Sequence, residues 1–209
     1  PASPSPVGLT FPAPLIAIGA RADGTMPHQV TGFTRRRWAV LLWNLGYRCG
    51  AEIGVRQAAF AEWLCLAVPG LRLWCIDPWL AYPAQPSQAK QEANLVVARE
   101  RLARFPRAHI WRATSVDAAR EVTPASLDFV YIDAAHDYSH VAQDLMLWSA
   151  RVRSGGMVAG DDYGAPGVRR ALDEFVAAHR IAAWWLCDDR RTRRNRKGQV
   201  FTSWFWVKA

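Results

Sequence analysis

The sequence predicts a three-layer α/β sandwich, built on a mostly parallel sheet of about seven strands with a C-terminal antiparallel hairpin. Three observations carry this. Residues 127–163 read as strand, polar loop, helix, glycine turn, strand and polar loop, and one helix between two strands implies parallel pairing with a right-handed crossover. Apolar runs of strand length at 49–55, 71–76 and 108–112 alternate with stretches of helical periodicity at 57–66 and 88–105. Two late strands, 181–187 and 200–207, are close enough in sequence to pair as a hairpin.

A length of 209 residues suits one domain with a sizeable core, and 51% hydrophobic residues argue against a disordered chain. No apolar run reaches the length of a membrane span. Residues 1–33, rich in Pro, Ala, Ser and Gly over 1–24, read as a flexible arm, and 34–209 as the folded domain. Cys49, Cys65, Cys75 and Cys187 are scattered without CxxC spacing, which argues against zinc and suits reduced core thiols in a cytoplasmic protein. The net charge of +8 favours acidic partners: phosphorylated metabolites, nucleic acid or anionic surfaces.

The first predicted helix, 34–45, carries Trp38, Leu41, Leu42 and Leu45 on one face. The first predicted strand, 49–55, holds Glu52 in an otherwise apolar run. A buried carboxylate is costly without a donor. Gly54 begins the turn into the helix 57–66, whose amino end points toward the crevice. The strand 71–76 ends at Asp77, which is placed either to accept both hydroxyls of a ribose or to serve as a turn residue. The helix 88–105 is expected to turn Ala93, Val96, Val97 and Leu102 inward. After the strand 108–112, Thr114, Ser115, Val116 and Asp117 open a short helix, and Ser115 reads as a cap or as a contact to a bound base.

The strand 127–132 ends at Asp133, and 156–159 ends at Asp161 and Asp162, with the helix 139–151 between them. Both acidic loops leave the carboxyl edge of one sheet, where open α/β sheets bind ligands. His136, Asp133, Asp137, Asp161 and Asp162 are therefore candidates for one crevice. A final helix, 168–178, turns Val168, Leu172 and Phe175 inward. The hairpin tip crowds Arg190, Arg191, Arg193, Arg194, Arg196 and Lys197 between strands bearing Trp184, Trp185, Trp204 and Trp206. That pattern suits a phosphate or carboxylate, a single-stranded nucleic acid, or a solvated charged tip above core tryptophans.

The order of AEIGV, IDPW, SLDFVYID-x-x-H and RSGGMVAGDDY, followed by the hairpin, resembles the class I S-adenosylmethionine-dependent methyltransferases over about residues 36–209. The branch it is most similar to contains the macrocin and novobiocin sugar O-methyltransferases. The resemblance implies a Rossmann-like fold. It also implies S-adenosylmethionine bound by Glu52, Gly54, Val55, Asp77, Ser115, Val116 and Asp133. In that branch an acid after the fourth strand and an Asp-Asp pair after the fifth hold a divalent cation such as Mg2+, and Asp133, Asp161 and Asp162 stand at those positions. The sequence departs from the pattern at Ala58, where the family usually has glycine. It departs again at Ala135, where the sugar enzymes have a presumed catalytic acid.

Methyl transfer to a hydroxyl needs alignment and removal of a proton. A cation held by the three aspartates lowers the hydroxyl pKa. His136 has the chemistry of a base near neutral pH, and reads equally as a ligand or a helix-start hydrogen bonder. Catalysis is thus assigned to His136 and Asp133. The expected activity is O-methylation of a small hydroxylated or anionic metabolite, by a monomer or homodimer. The alternatives are a nucleic-acid methyltransferase using the basic hairpin and a non-catalytic cofactor-binding module. A nicotinamide dehydrogenase fits less well, because no G-x-G-x-x-G follows the first predicted strand.

Overall fold

The computed structural model describes residues 26–31, 33–82, 86–188 and 202–209. In chain order the elements are β1 (His28–Thr31), α1 (Arg35–Asn44), β2 (Cys49–Ile53), α2 (Ala59–Ala67), β3 (Arg72–Asp77), α3 (Gln88–Leu102) and β4 (Ala108–Arg112). They continue with α4 (Ser115–Glu121), β5 (Leu127–Ile132), α5 (Tyr138–Ser149), β6 (Val152–Gly160), α6 (Pro166–Ala178), β7 (Trp185–Asp188) and β8 (Thr202–Val207).

The sheet has eight strands in the order β1-β7-β8-β6-β5-β2-β3-β4. Every pairing is parallel except β6 with β8 and β7 with β8, so the expected hairpin is present. The strand beyond the expected seven is β1. It lies inside the segment read as an arm and pairs parallel with β7, His28 opposite Trp185. Four residues without a strong apolar alternation carry little strand signal of their own, and β1 exists because an edge was open to receive it.

The sheet has a core on each face. Phe129 and Tyr131 of β5 pack with Trp38 and Leu41 of α1, Leu64 of α2 and Leu95 of α3. Val130 and Ile132 pack on the other side with Ala118 of α4, Leu145 and Trp148 of α5, and Leu172 of α6. Burial on both faces explains why the central strands read as near-continuous apolar runs. Each fully buried side chain of this size contributes about 1.5–3 kcal/mol.

Three expectations change. The helix expected over 88–105 ends at Leu102, and its buried face is Asn94, Leu95, Ala98 and Leu102. Val96 is 52% exposed, so the inward face is rotated from the one an apolar count selects. The expected glycine turn before 156–159 lies inside a longer strand: β6 begins at Val152, and its register against β5 shifts between Leu127 and Phe129. There Gly155 has φ of 71°, and a Cβ on Gly156 would overlap the Asp128 carbonyl. Finally, Trp184, Trp185, Trp204 and Trp206 are all buried. They are core, unavailable for stacking on bases. The basic residues 190–197 lie outside the described residues.

Candidate active site

Parallel strands deliver the loops after β2, β3, β5 and β6 to one edge of the sheet. The loop after β2 meets the one after β5 through backbone: Asp133 N donates to the Ile53 carbonyl at 2.8 Å. Gly54, with φ of 89°, is required there, because a Cβ would overlap the carbonyl oxygen of Asp133. The loop turns further through Arg56 and Ala58, both left-handed, with φ of 52° and 57°. Ala58 is the N-cap of α2 and supplies no side-chain acceptor to the helix start. Glu52, 3% exposed, sits behind this loop. Burial and the Glu52 carboxylate push the Cys65 thiol up to about 12, and push Cys75 well above its ordinary range. These thiols are inert core groups. All four cysteines are free.

Asp77, at the end of β3, is held by two amides. Arg56 N donates to Oδ2 at 2.9 Å and Trp79 N to Oδ1 at 2.7 Å. The Trp79 indole is fully buried and donates from Nε1 to the Arg56 carbonyl at 2.8 Å. Each carboxylate oxygen thus spends one acceptor position on backbone and keeps another. The turn-residue reading of Asp77 is realised, and it leaves capacity for a diol.

At the start of α4 the cap is Thr114, whose Oγ1 accepts from Asp117 N at 3.2 Å. The Ser115 hydroxyl turns inward, donating to the Asp144 carboxylate and accepting from Trp148 Nε1 at 2.7 Å. Neither the cap reading nor the base-contact reading of Ser115 includes this inward pairing. Val116 is half-buried beside it.

The loops after β5 and β6 bring Asp133, His136 and Asp162 together, with one potential ligand atom from each lying within 4.8 Å of the others. His136 Nε2 is 3.0 Å from Asp162 Oδ2, and the two side chains are 48% and 17% exposed. Asp161 does not join the trio. It is buried, its Oδ1 accepts from Ser203 Oγ at 3.1 Å, and its carbonyl accepts from Trp204 Nε1 at 3.0 Å. The two acids of the Asp-Asp pair therefore point to different surroundings, as adjacent residues in an extended or turning backbone do. His136 takes the place beside Asp133 and Asp162 that the sequence reading gave to Asp161.

Asp137 stands next to this trio but works for the helix. It caps α5 through His140 N and binds the His140 ring at 2.7 Å. Burial raises its carboxyl, but hydrogen bonds from Ser139 and His140 outweigh this and bring it down to about 2. Sequence reading also missed Trp79 as a bridge between two loops. It missed a row of carboxamides, Gln88, Gln91 and Asn94, that faces those loops from α3. Polar residues three apart on a helix beside a predicted ligand edge were the available signal.

The methyltransferase-domain family profile matches residues 51–163, more than half of the chain. No curated protein sequence matches it. Among solved structures it is similar to an O-methyltransferase from Bacillus cereus in complex with S-adenosylhomocysteine. That pair shares 17% identity over 97% of this chain and 94% of the other, with a TM-score of 0.62. TomG, an O-methyltransferase from Streptomyces achromogenes involved in tomaymycin synthesis and solved with S-adenosylmethionine, shares 20% identity over 84% and 79%, with a TM-score of 0.58. The O-methyltransferase NovP shares 18% over 84% and 78%, with a TM-score of 0.57.

Proposed function

The chain belongs to the methyltransferase-domain family, and from that premise we propose that it is an S-adenosylmethionine-dependent O-methyltransferase acting on a small hydroxylated or anionic metabolite. The chemistry of the structural neighbours supports the donor and the reaction. The residues fit an adenosyl group: Asp77 retains one acceptor position on each oxygen, enough for two hydroxyls. The loop from Gly54 to Ala58 reaches Asp77 through Arg56 N, and it and the start of α4 would stand beside the group. When bound, the cofactor supplies an electrophilic methyl group on a sulfonium.

The observation that carries the acceptor chemistry is the His136–Asp162 pair beside Asp133. In this reading Asp162 orients the imidazole through Nε2, and Nδ1 is the atom that receives the acceptor hydroxyl's proton. The carboxylate also stabilises the imidazolium that forms. Asp133 adds a carboxylate at the same edge.

A second reading is supported by the same trio. Two carboxylates and an imidazole make a cation site of mixed oxygen and nitrogen donors. Mg2+ prefers oxygen ligands throughout, whereas the imidazole suits Fe2+ or Zn2+ and the two carboxylates suit Mn2+. Such an ion lowers the pKa of a bound hydroxyl without a protein base.

Calorimetry with S-adenosylhomocysteine tests the cofactor. Folded protein giving no heat would sink the assignment. Methyl transfer to a panel of phenols and sugars, with chelator or with Mn2+, then separates the readings. Activity that survives the chelator and disappears in His136→Ala supports the base. Activity that requires Mn2+ supports the cation. Cofactor binding with no transfer to any hydroxyl returns the chain to the binding-module alternative.

A further inference from the structure

The inward face of α3 is polar where it meets the crevice. Asn94 is 1% exposed, and asparagine is a poor helix former in a helix interior. An apolar side chain there would avoid burying an amide. Both ends of this amide are used. Its Oδ1 accepts from Gln57 Nε2 at 3.0 Å, and its Nδ2 donates to Gln91 Oε1 at 3.2 Å. Gln91 in turn donates from Nε2 to the Leu80 carbonyl at 3.2 Å. One chain of carboxamides therefore ties the loop after β2 to the loop after β3.

One helical turn earlier, Gln88 holds the second loop again. Its Nε2 donates to the Trp79 carbonyl at 3.0 Å, and its Oε1 accepts from Ala81 N at 3.0 Å. The two loops so tied are the ones whose backbone amides, Arg56 N and Trp79 N, bind the two oxygens of Asp77. The Trp79 indole closes the circuit onto the Arg56 carbonyl. Arg101 adds a bond to the Gln57 carbonyl at 3.0 Å.

We propose that Asn94, with Gln91, is a positioning residue for the cofactor's ribose: the carboxamide chain fixes the two loops, and the loops aim Asp77. The inference rests on the adenosyl reading above and adds to it a determinant outside the crevice. Asn94 sits behind both loops, so its effect on a ligand passes through Asp77. A hydrogen-bond network with every member satisfied is stiff, and a stiff acceptor pair binds a diol with less ordering cost.

The test is calorimetry with S-adenosylhomocysteine on wild type, Asn94→Leu, Asn94→Asp, Asp77→Asn and the Asn94→Leu/Asp77→Asn double variant. Asn94→Leu is expected to weaken binding about tenfold. Asn94→Asp keeps an oxygen for Gln57 but has no N–H for Gln91 Oε1, and is expected to lose about as much as Asn94→Leu. The double variant should bind little worse than Asp77→Asn alone, because the aim of a missing carboxylate no longer matters. A folded Asn94→Leu that binds like wild type would overturn the proposal. So would losses that add in the double variant, since a purely structural helix residue gives additive losses. If Asn94→Leu does not fold, half-buried Gln91→Met cuts the same chain at Leu80 and is judged by the same criteria. Wild type that binds no S-adenosylhomocysteine would remove the cofactor reading itself, an outcome seen before any variant is compared.

Discussion

His136 Nε2 and Asp162 Oδ2 meet at 3.0 Å across the gap between the loops that follow β5 and β6. The two strands are neighbours, with Ile132 opposite Gly160. The chain leaves Gly160 through Asp161, whose N donates to the Ile132 carbonyl at 3.1 Å. It then turns at Asp162, which has φ of 59°. Aspartate tolerates that left-handed conformation better than most residues. Asp161 is thus fixed to the sheet while Asp162 projects into the crevice.

If this pair is the base and its orienter, His136→Ala should lower kcat about a hundredfold or more and leave the affinity for S-adenosylhomocysteine within about threefold. Asp162→Asn keeps the shape and loses the charge, and should cost about ten- to a hundredfold. The pH profile of kcat should lose its acid limb in His136→Ala. A profile that keeps its limb would move the base elsewhere.

The same geometry separates Asp161 from Asp162 in any cation chemistry. An asparagine at 161 still offers an oxygen to Ser203, whose bond at 3.1 Å it would preserve. Titration with Mn2+ should therefore give Asp161→Asn an affinity within about threefold of wild type, and Asp162→Asn one weaker by about tenfold or more. Equal losses would restore Asp161 as a ligand. Mn2+ that binds neither wild type nor variants would leave His136 as the base.

Two small residues in one loop should differ in their response, one costly to change and the other nearly neutral. Gly54→Ala places a Cβ on the Asp133 carbonyl and forces a left-handed alanine. Overpacking and backbone strain together should cost about 3 kcal/mol in urea unfolding. Ala58 already bears the strain, at φ of 57° and 0% exposed. Replacing it by glycine relieves about 1 kcal/mol of strain and gives up about 0.8 kcal/mol of methyl burial. Ala58→Gly should therefore lie within about 0.5 kcal/mol of wild type. A large loss there would show that the methyl group is a packing element.

What the sequence disclosed follows from where the signal is local. Strand length, helix periodicity and trailing acids are local, so β2 to β6, the hairpin and the acidic edge were legible. The direction of a side chain at the end of a strand is not. Asp161 and Asp162 are equivalent in composition, and only the packing of β8 beneath them, through Ser203 and Trp204, decides which one faces His136. β1 was hidden because its partner, β7, arrives about 150 residues later in the chain. The inward face of α3 was misread because an apolar count takes Val96 over Asn94, and the carboxamide is buried for the loops it holds. The hairpin's tryptophans read as a platform beside basic residues, but residue type alone does not separate a stacking ring from a core ring.

Asp144 yields the last prediction, which concerns pH. It lies on α5, 4% exposed, with the Ser115 hydroxyl on its carboxylate and Trp148 Nε1 on that hydroxyl. Burial raises its pKa from the ordinary 3.8 to about 6; Ser115 and His140 pull it down, and Asp137 pushes it up. The folded protein therefore holds this proton to higher pH than the unfolded chain. Between about pH 4 and 6 the unfolded chain has released the proton and the folded one has not, so stability falls as pH rises through that window. Above it the full cost remains, on the order of 3 kcal/mol for a shift of this size. Asp144→Asn still accepts from Ser115 and carries no charge. It should be more stable than wild type at pH 8 by up to about 3 kcal/mol, and by much less at pH 4. Urea unfolding at the two pH values measures the difference. An equal gain at both would mean that Asp144 is strained by packing rather than by its charge. A loss at pH 8 would mean that the ionised carboxylate holds Ser115, and with it the start of α4, more tightly than a neutral amide can.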